Sequence, residues 1–489
     1  MKRDLSLWII LVVSVLSFAP KLSAASSAKP NIILILADDL GWTDLGCYGS
    51  KFYETPHIDR LAAEGVRFTD AYAASPVCSP TRASLLTGRY PARTHVTDWI
   101  PGRTPPGSKL IPPLWTNFLR HEETTIAELL KEAGYVTASI GKWHLGREGF
   151  FPEQHGFDVN VGGAQWGSHV TMTAPYKNNR PNIPNSPPGE YLTDRLTDEA
   201  IKFIEANRAR PFFLYLPHYA VHTPIQGKPE LVERFKNKGD RGEHDNAEYA
   251  AMISSVDEGI GRIVERLGAL GLMDNTIVVF TSDNGGLEKI TSNTPLREGK
   301  GTAYEGGIRV PLIIKWPAQA RRGIVSDVPV HSNDLFPTFA EGAGIKVPRK
   351  VEIDGVSLRP LLTTKGTFKR EAIFLHYPHY NAHTPVNTCT PHGIIRQGHW
   401  KLIEFFEDGR LELYNLKTDL GETTNLATAE PKKKSQMAKA LRDWRKKVGA
   451  QMPTPNPNAD PVAFREFKEK RLWKPIGNFY EQHTSFPTK

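Results

Sequence analysis

Asn31-Ile32-Ile33-Leu34-Ile35-Leu36-Ala37-Asp38-Asp39 is an unbroken aliphatic run that stops abruptly at two adjacent carboxylates. A run without polar alternation reads as a strand covered on both faces, as in a parallel sheet with helices above and below it. Neighbouring carboxylates at the carboxyl end of such a strand repel each other and cost free energy unless a cation neutralises them. In open α/β sheets that edge is also where ligands bind. An isolated Asp-Asp serves equally well as a helix cap or a solvated turn, but here a second strand repeats the arrangement. Thr276 to Thr281 runs into Ser282-Asp283-Asn284-Gly285-Gly286. The preceding segment, Tyr249 to Leu267, puts Met252, Val256, Ile260, Ile263 and Leu267 on one helical face. Helix followed by buried strand is the grammar of parallel α/β folds. The predicted fold is therefore α/β, a large, mostly parallel sheet sandwiched by helices.

Asp38, Asp39, Asp283 and Asn284 offer hard oxygen ligands, with no thiolate or imidazole needed. That set suits Ca²⁺ or Mg²⁺ rather than zinc, and an amide ligand with room for bidentate carboxylates favours Ca²⁺. Two further strands are punctuated in the same way. Thr125 to Ala133 reads as a helix closed by Gly134, and the strand Tyr135 to Ile140 delivers Gly141-Lys142-Trp143-His144-Leu145-Gly146. Pro211 to Leu216 delivers Pro217-His218-Tyr219-Ala220-Val221-His222. A single lysine or histidine in a loop is usually just solvated. Several polar clusters that all follow strands are expected to converge at one sheet edge.

Cys78-Ser79-Pro80-Thr81-Arg82, continuing to Leu85-Leu86-Thr87-Gly88-Arg89, follows a strand at Val66 to Ala73. Pro80 suits a first helical turn, where its missing N–H costs nothing. A helix starting there sets Cys78 beside unpaired N–H groups in a field that favours anions. Arg82 adds a fixed planar cation within the first turn. Further on, Arg297-Glu298-Gly299-Lys300-Gly301 and Tyr304-Glu305-Gly306-Gly307 surround a lysine with glycine, which allows close approach to a ligand.

Beyond Asp334-Leu335-Phe336-Pro337-Thr338 the character changes. Val347 to about Gly366 is turn-rich. Short strand-like runs follow at Ala372 to His376, Gly393 to Arg396, Lys401 to Phe406 and Leu411 to Tyr414, with Asp408-Gly409 as a hairpin signal. A helix is expected from about Lys432 to Val448. The expected division is residues 1–25 as a signal peptide, 28–345 as the catalytic domain, and 346–489 as a smaller domain of antiparallel sheet plus helix, with its tail.

The Cys-x-Pro-x-Arg stretch with its Leu-Thr-Gly-Arg continuation resembles the signature of the type I sulfatases, of the alkaline phosphatase superfamily. Gly-Lys-Trp-His-Leu-Gly, Ser-Asp-Asn-Gly-Gly and the Lys300 segment resemble further motifs of that family, so the likeness runs from Asn31 to about Pro311, and the chain resembles exported bacterial arylsulfatase A-like enzymes. The resemblance implies an alkaline phosphatase-like fold and conversion of Cys78 by a maturation enzyme to formylglycine, hydrated at rest. It further implies a divalent cation, usually calcium, on Asp38, Asp39, Asp283, Asn284 and residue 78. Lys142 and Lys300 would hold sulfate oxygens and Arg82 would orient the diol. His222 would protonate the leaving alcohol, His144 would take a proton from the second hydroxyl, and Asp283 would be the base for the first step. Within catalysis, a phosphodiester or phosphonate monoester hydrolase is the alternative. Outside it stands a sulfated-glycan binding protein with unconverted cysteine.

Composition bounds the setting. The 489 residues are globular in make-up and carry a formal charge of +8. Lys2 and Arg3 precede an apolar run from Leu5 to Phe18 and the small residues Leu22-Ser23-Ala24-Ala25, the layout of a secretory signal peptide. No later stretch is apolar enough for a membrane span. Cleavage after Ala25 removes Lys2, Arg3 and Lys21 against Asp4 and leaves +6. Spread over this length, that is no nucleic-acid footprint, and it suits an exported protein, periplasmic or secreted, that handles acidic substrates. Cys47, Cys78 and Cys389 are too few for a disulfide scaffold. Export points to a sulfated glycan or small molecule from outside the cytosol. Trp99, His376 and His379 are polar-aromatic groups of the kind that stack on and hydrogen-bond to sugars, or equally core and loop residues.

Overall fold

Ile32, Leu34 and Leu36 project from one face of the central sheet and Ile33, Ile35 and Ala37 from the other, and all six are fully buried. The computed structural model describes residues 29–176, 183, 185–316, 321–363, 366–381 and 390–469. Among these, Asn31–Ala37 is a central strand of a nine-stranded sheet. Across the sheet the order is Val330–His331, Val66–Tyr72, Arg309–Lys315, Thr276–Ser282, Asn31–Ala37, Phe212–Pro217, Val136–Ile140 and Val159–Val161, with Ile324–Ser326 also on Val66–Tyr72. Every pairing is parallel except the two made by Arg309–Lys315, which opposes both its neighbours.

Helices Pro56–Glu64, Leu192–Ala206 and Ala247–Ala269 cover one face, and Cys78–Thr87, Ile126–Glu132 and Leu335–Gly342 cover the other. The expected face of the long helix, Met252 to Leu267, is buried throughout, and full burial of each aliphatic side chain contributes about 1.5–3 kcal/mol. Asn246 caps that helix by accepting the Tyr249 N–H, and Thr125 and Glu128 form a capping box on the helix before Val136–Ile140. Thr276–Ser282, Asn31–Ala37, Phe212–Pro217 and Val136–Ile140 are four adjacent parallel strands. Their carboxyl ends share one edge, and the loops that follow them meet there.

The C-terminal part is a four-stranded antiparallel sheet, Ile373–Tyr377, His392–Gln397, Trp400–Phe405 and Leu411–Asn415. Helix Pro431–Val448 packs on it through Met437, Ala438, Leu441 and Trp444. The turn-rich stretch after Val347 lies against the large sheet, where Val351, Ile353, Leu358 and Leu362 join the core. The expected signal peptide, Cys389 and the tail from residue 470 lie outside the described residues. No helix among the described residues is long and apolar enough to cross a membrane.

Buried charge ties the two sheets together. Lys401 Nζ sits 3.0 Å from Glu305 Oε1 and 2.8 Å from Glu422 Oε1, and all three side chains are fully buried. Glu305 also accepts from Tyr72 and Arg309, each at 2.9 Å. Burial alone would raise the pKa of Glu305, but Lys401 and Arg309 outweigh it and hold the carboxyl at about 2. Lys401→Ala leaves two carboxylates without their ammonium and is expected to cost about 3–5 kcal/mol. Urea unfolding measures this, and a loss under about 1 kcal/mol would show that the cluster carries little stability.

Candidate active site

Helix Cys78–Thr87 begins at Cys78 itself, after extended Val77, with Pro80 in its first turn and every residue buried. Cys78 thus stands at the helix N-terminus, as its sequence context predicts. Its Sγ lies 3.2 Å from His144 Nδ1. Burial pushes the thiol's pKa up, with Lys142 and Lys300 opposing and Asp283 and Asp38 adding to the rise. Arg82, one turn along, is wholly enclosed. Its Nε and Nη2 reach Asp283 Oδ2 at 2.9 and 2.7 Å, and Nη1 donates to the Lys142 carbonyl at 3.0 Å. This double contact fixes both the guanidinium and the Asp283 carboxylate.

Three carboxylates meet three cations at the shared strand edge. Lys142 Nζ donates to Asp38 Oδ2 at 2.7 Å, and Lys300 Nζ to Asp39 Oδ2 at 2.7 Å. Burial raises the pKa of Asp38 to about 8 against the pull of Lys142. For Asp39 burial acts in the same direction, but Lys300, His222 and Lys142 overcome it and hold the carboxyl below its usual range. Asn284 Nδ2 donates to Asp39 Oδ1 at 2.9 Å, and the Asp39 N–H to Asp283 Oδ1 at 3.2 Å. Two buried acceptors have no hydrogen-bond partner, Asp38 Oδ1 and Asn284 Oδ1. Such orphans cost about 1–3 kcal/mol each. An all-oxygen set with two unpaired acceptors fits a hard divalent cation.

Both histidines enter from neighbouring loops, in opposite tautomers. His144 adopts a left-handed backbone, φ 58°, and its Nε2 meets the Ile100 carbonyl. A carbonyl only accepts, so Nε2 carries the hydrogen and Nδ1 turns a lone pair to Cys78. His222 Nδ1 donates to the Thr223 carbonyl at 2.6 Å, and its Nε2 lies 3.6 Å from Asp39 Oδ2. Burial holds both imidazoles well below their ordinary pKa, helped by Lys142 at His144; at His222, Asp39 opposes and Lys300 and Lys142 add. One ligand atom each of Asp38, Asp39 and His222 lie within 4.8 Å of one another. The structure therefore adds an imidazole to a cluster that the sequence presents as oxygen alone. The reason is topological, since the loop after Phe212–Pro217 sits beside the end of Asn31–Ala37.

The structure brings Cys78, Arg82, Lys142, His144, His222, Lys300, Asp38, Asp39, Asp283 and Asn284 to one place. Of the two readings open for His376 and His379, sugar-facing groups or core residues, it places both among the buried residues. His376 is buried with Nε2 at 2.8 Å from the Gln451 carbonyl, and fully buried His379 has Nε2 2.8 Å from Thr97 Oγ1. The His379 ring lies in the seam between the C-terminal sheet and the 97–117 region, against Trp115, and the His376 ring packs beside Phe406. Trp99 is half-buried, and its backbone N–H donates to Asp98 Oδ1. Sequence reasoning missed Ser79, whose Oγ donates to the His144 carbonyl at 3.0 Å, and Gly167. A Cβ on Gly167 would meet the His144 ring at 2.4 Å, so only glycine lets that loop lie against the imidazole. Gly141, with φ 126°, is required in turn because a Cβ there would strike the Pro217 carbonyl.

Comparison with known proteins agrees with this geometry. Residues 30–345 match the family model Sulfatase, and residues 299–448 match a model described as N-sulphoglucosamine sulphohydrolase, C-terminal. A sulfatase of Formosa agariphila is 35% identical over 89% of this chain and 92% of its own. Human N-acetylgalactosamine-6-sulfatase is 38% identical, over 72% of this chain and 69% of its own. The crystal structure of Ps i-CgsB in complex with k-i-k-neocarrahexaose superposes with a TM-score of 0.73 at 33% identity, covering 91% of this chain and 98% of that one. The chain belongs to the sulfatase family of the alkaline phosphatase superfamily, and it is a sulfatase.

Proposed function

We propose that the protein removes sulfate from a sulfated carbohydrate, with Cys78 converted to formylglycine by a maturation enzyme and with calcium, rather than magnesium, as the divalent cation. The observation that carries this reading is the cradle around position 78, where Arg82, Lys142 and Lys300 gather over Asp38, Asp39 and Asp283. A buried thiol with suppressed ionisation is a poor nucleophile as it stands, which favours the converted residue. A sugar substrate is supported by the relatives, one named for N-acetylgalactosamine and one solved in complex with k-i-k-neocarrahexaose.

Asp38, Asp39, Asp283 and Asn284 would hold the cation, together with residue 78, and the cation supplies Lewis acidity toward sulfate oxygens. Hydrated formylglycine would supply one hydroxyl oxygen to take the sulfuryl group, its proton passing to Asp283, and a second hydroxyl whose O–H electron pair would close the aldehyde as sulfate departs. Lys142 and Lys300 bind the remaining sulfate oxygens, and Arg82 orients residue 78. His144 accepts the second hydroxyl's proton at Nδ1. His222 meets the leaving oxygen through Nε2, and the approach of an anionic ester favours its protonation there.

His222→Ala is expected to slow a sulfated sugar about 10²–10⁴-fold while scarcely affecting an electron-poor aryl sulfate, which leaves without a proton. Lys142→Ala removes a grip common to both substrates and should depress both reactions alike. Measuring kcat/KM of each variant on one sulfated sugar and on 4-nitrophenyl sulfate decides the assignment. Equal losses for His222→Ala on the two substrates would sink it. The function itself is tested by a desulfation screen over defined sulfated mono- and disaccharides beside a phosphonate monoester and a phosphodiester. Turnover of the phosphorus esters alone would overturn the sulfatase reading in favour of the alternative. Intact-protein mass reads the conversion of Cys78, since a lighter oxygen replaces the thiol. Export is part of the same proposal, and a mature chain beginning at Ser26 in the periplasm or medium is the expected result.

A further inference from the structure

Tyr377 belongs to the C-terminal sheet, yet its hydroxyl donates to Asp98 Oδ1 in the catalytic domain at 2.8 Å. Asp98 is fully buried, and the same oxygen accepts the Trp99 N–H at 2.9 Å. One residue earlier, Thr97 Oγ1 is held by His379 Nε2 at 2.8 Å. The 97–98 segment is thus gripped from the C-terminal side by two side chains, Tyr377 and His379. Two residues further on, Ile100 is pinned on both sides: its N–H donates to Ser79 Oγ at 3.1 Å, and its carbonyl accepts His144 Nε2.

We propose that Asp98 and Tyr377 are positioning residues that set the tautomer of His144 from the C-terminal sheet. The Tyr377–Asp98 bond anchors the turn, the turn presents the Ile100 carbonyl, and the carbonyl keeps the ring hydrogen on Nε2. Nδ1 is then left as the acceptor facing position 78. With the turn loosened, the ring is free to rotate or to carry its hydrogen on Nδ1, where it cannot take a proton. Neither Asp98 nor Tyr377 touches the substrate in this assignment. Their effect falls on the half-reaction that uses His144 Nδ1, the expulsion of sulfate, and leaves the transfer of the sulfuryl group to the enzyme untouched. The inference rests on the proposed role of His144.

The test uses the full-length, converted, calcium-loaded enzyme with 4-nitrophenyl sulfate, whose fast-leaving phenol makes kcat report the second half-reaction. Tyr377→Phe keeps the ring that packs against His379 and His392 and removes only the hydroxyl. Asp98→Asn keeps the shape. Each is expected to lower kcat about 10–100-fold, the usual effect of losing a partner behind a ligating or catalytic imidazole. KM should fall in parallel, so that kcat/KM changes by less than about twofold, and a pre-steady-state burst of one nitrophenol per enzyme should precede the slow phase. A simple packing role moves none of these in that pattern. If kcat and kcat/KM fall together without a burst, or if neither changes, the proposal is overturned. His144→Ala separates the two layers. A burst in His144→Ala but not in Tyr377→Phe or Asp98→Asn refutes the positioning role alone, whereas no burst in any of them refutes the role of His144 and the proposal with it.

Discussion

Cys78→Ala is expected to yield a folded protein whose turnover of sulfate esters falls at least about 10⁴-fold, the scale seen when a covalent nucleophile is deleted. The substitution removes one sulfur atom from a buried helix N-terminus, together with the Sγ to His144 Nδ1 contact. A loss of that size costs about 1 kcal/mol of stability, so the melting temperature should hardly move while activity disappears. Lys142, Lys300 and Arg82 keep their carboxylate partners in the variant, which preserves the cradle. Substrate should therefore still bind. Cys78→Ser should match Cys78→Ala in a host that converts only cysteine. Near-normal turnover by Cys78→Ala, measured as sulfate release, would remove the covalent mechanism.

Chelation of divalent cations is expected to lower kcat at least about 10³-fold, because Lewis-acid stabilisation of a transferring group is worth several kcal/mol. Ca²⁺ should restore activity better than Zn²⁺, since carboxylate and amide oxygens dominate the donor set, with the His222 imidazole as a single neutral nitrogen donor among the described residues of the cluster. The loss should also be reversible. Asp38 and Asp39 already pair with Lys142 and Lys300, so these carboxylates retain partners without the ion and the edge of the sheet holds its shape. The measurement is steady-state activity before chelation, after it, and on readdition of each metal, with metal content read by elemental analysis. Active protein carrying zinc alone would contradict the oxygen-ligand assignment.

Much of the fold was legible because its signals are local. Asn31 to Ala37 forms a strand with the bounds its aliphatic run implies, and the long helix extends only from Ala247 to Ala269 around the expected Tyr249 to Leu267. Thr125, Gly134 and the Asp408-Gly409 turn declare the ends of elements through their own side chains or lack of them. The ten candidate catalytic and metal-site residues were legible for a related reason. Each follows a strand, opens a helix or sits among glycines, and parallel strands bring their carboxyl ends to one edge.

What the sequence left open depends on partners far away in the chain. In isolation His376 and His379 read equally as sugar-binding groups or core residues, whereas in the fold both rings are buried and Gln451 and Thr97 each take one ring nitrogen, Nε2. That the loops bearing His222 and Asp39 share an edge follows from the strand pattern, but which carboxylate the imidazole approaches is set by the tertiary packing. The tautomers of His144 and His222 are set by the carbonyls of Ile100 and Thr223, and every residue carries a carbonyl, so no residue type announces the choice. By itself the sequence determined which chemical groups the strand ends carry, because strand, helix and turn are written in short-range patterns. Only the tertiary structure decided which lone pair each imidazole turns toward position 78 and the cation site, because that depends on which backbone carbonyl folding brings to the far side of the ring.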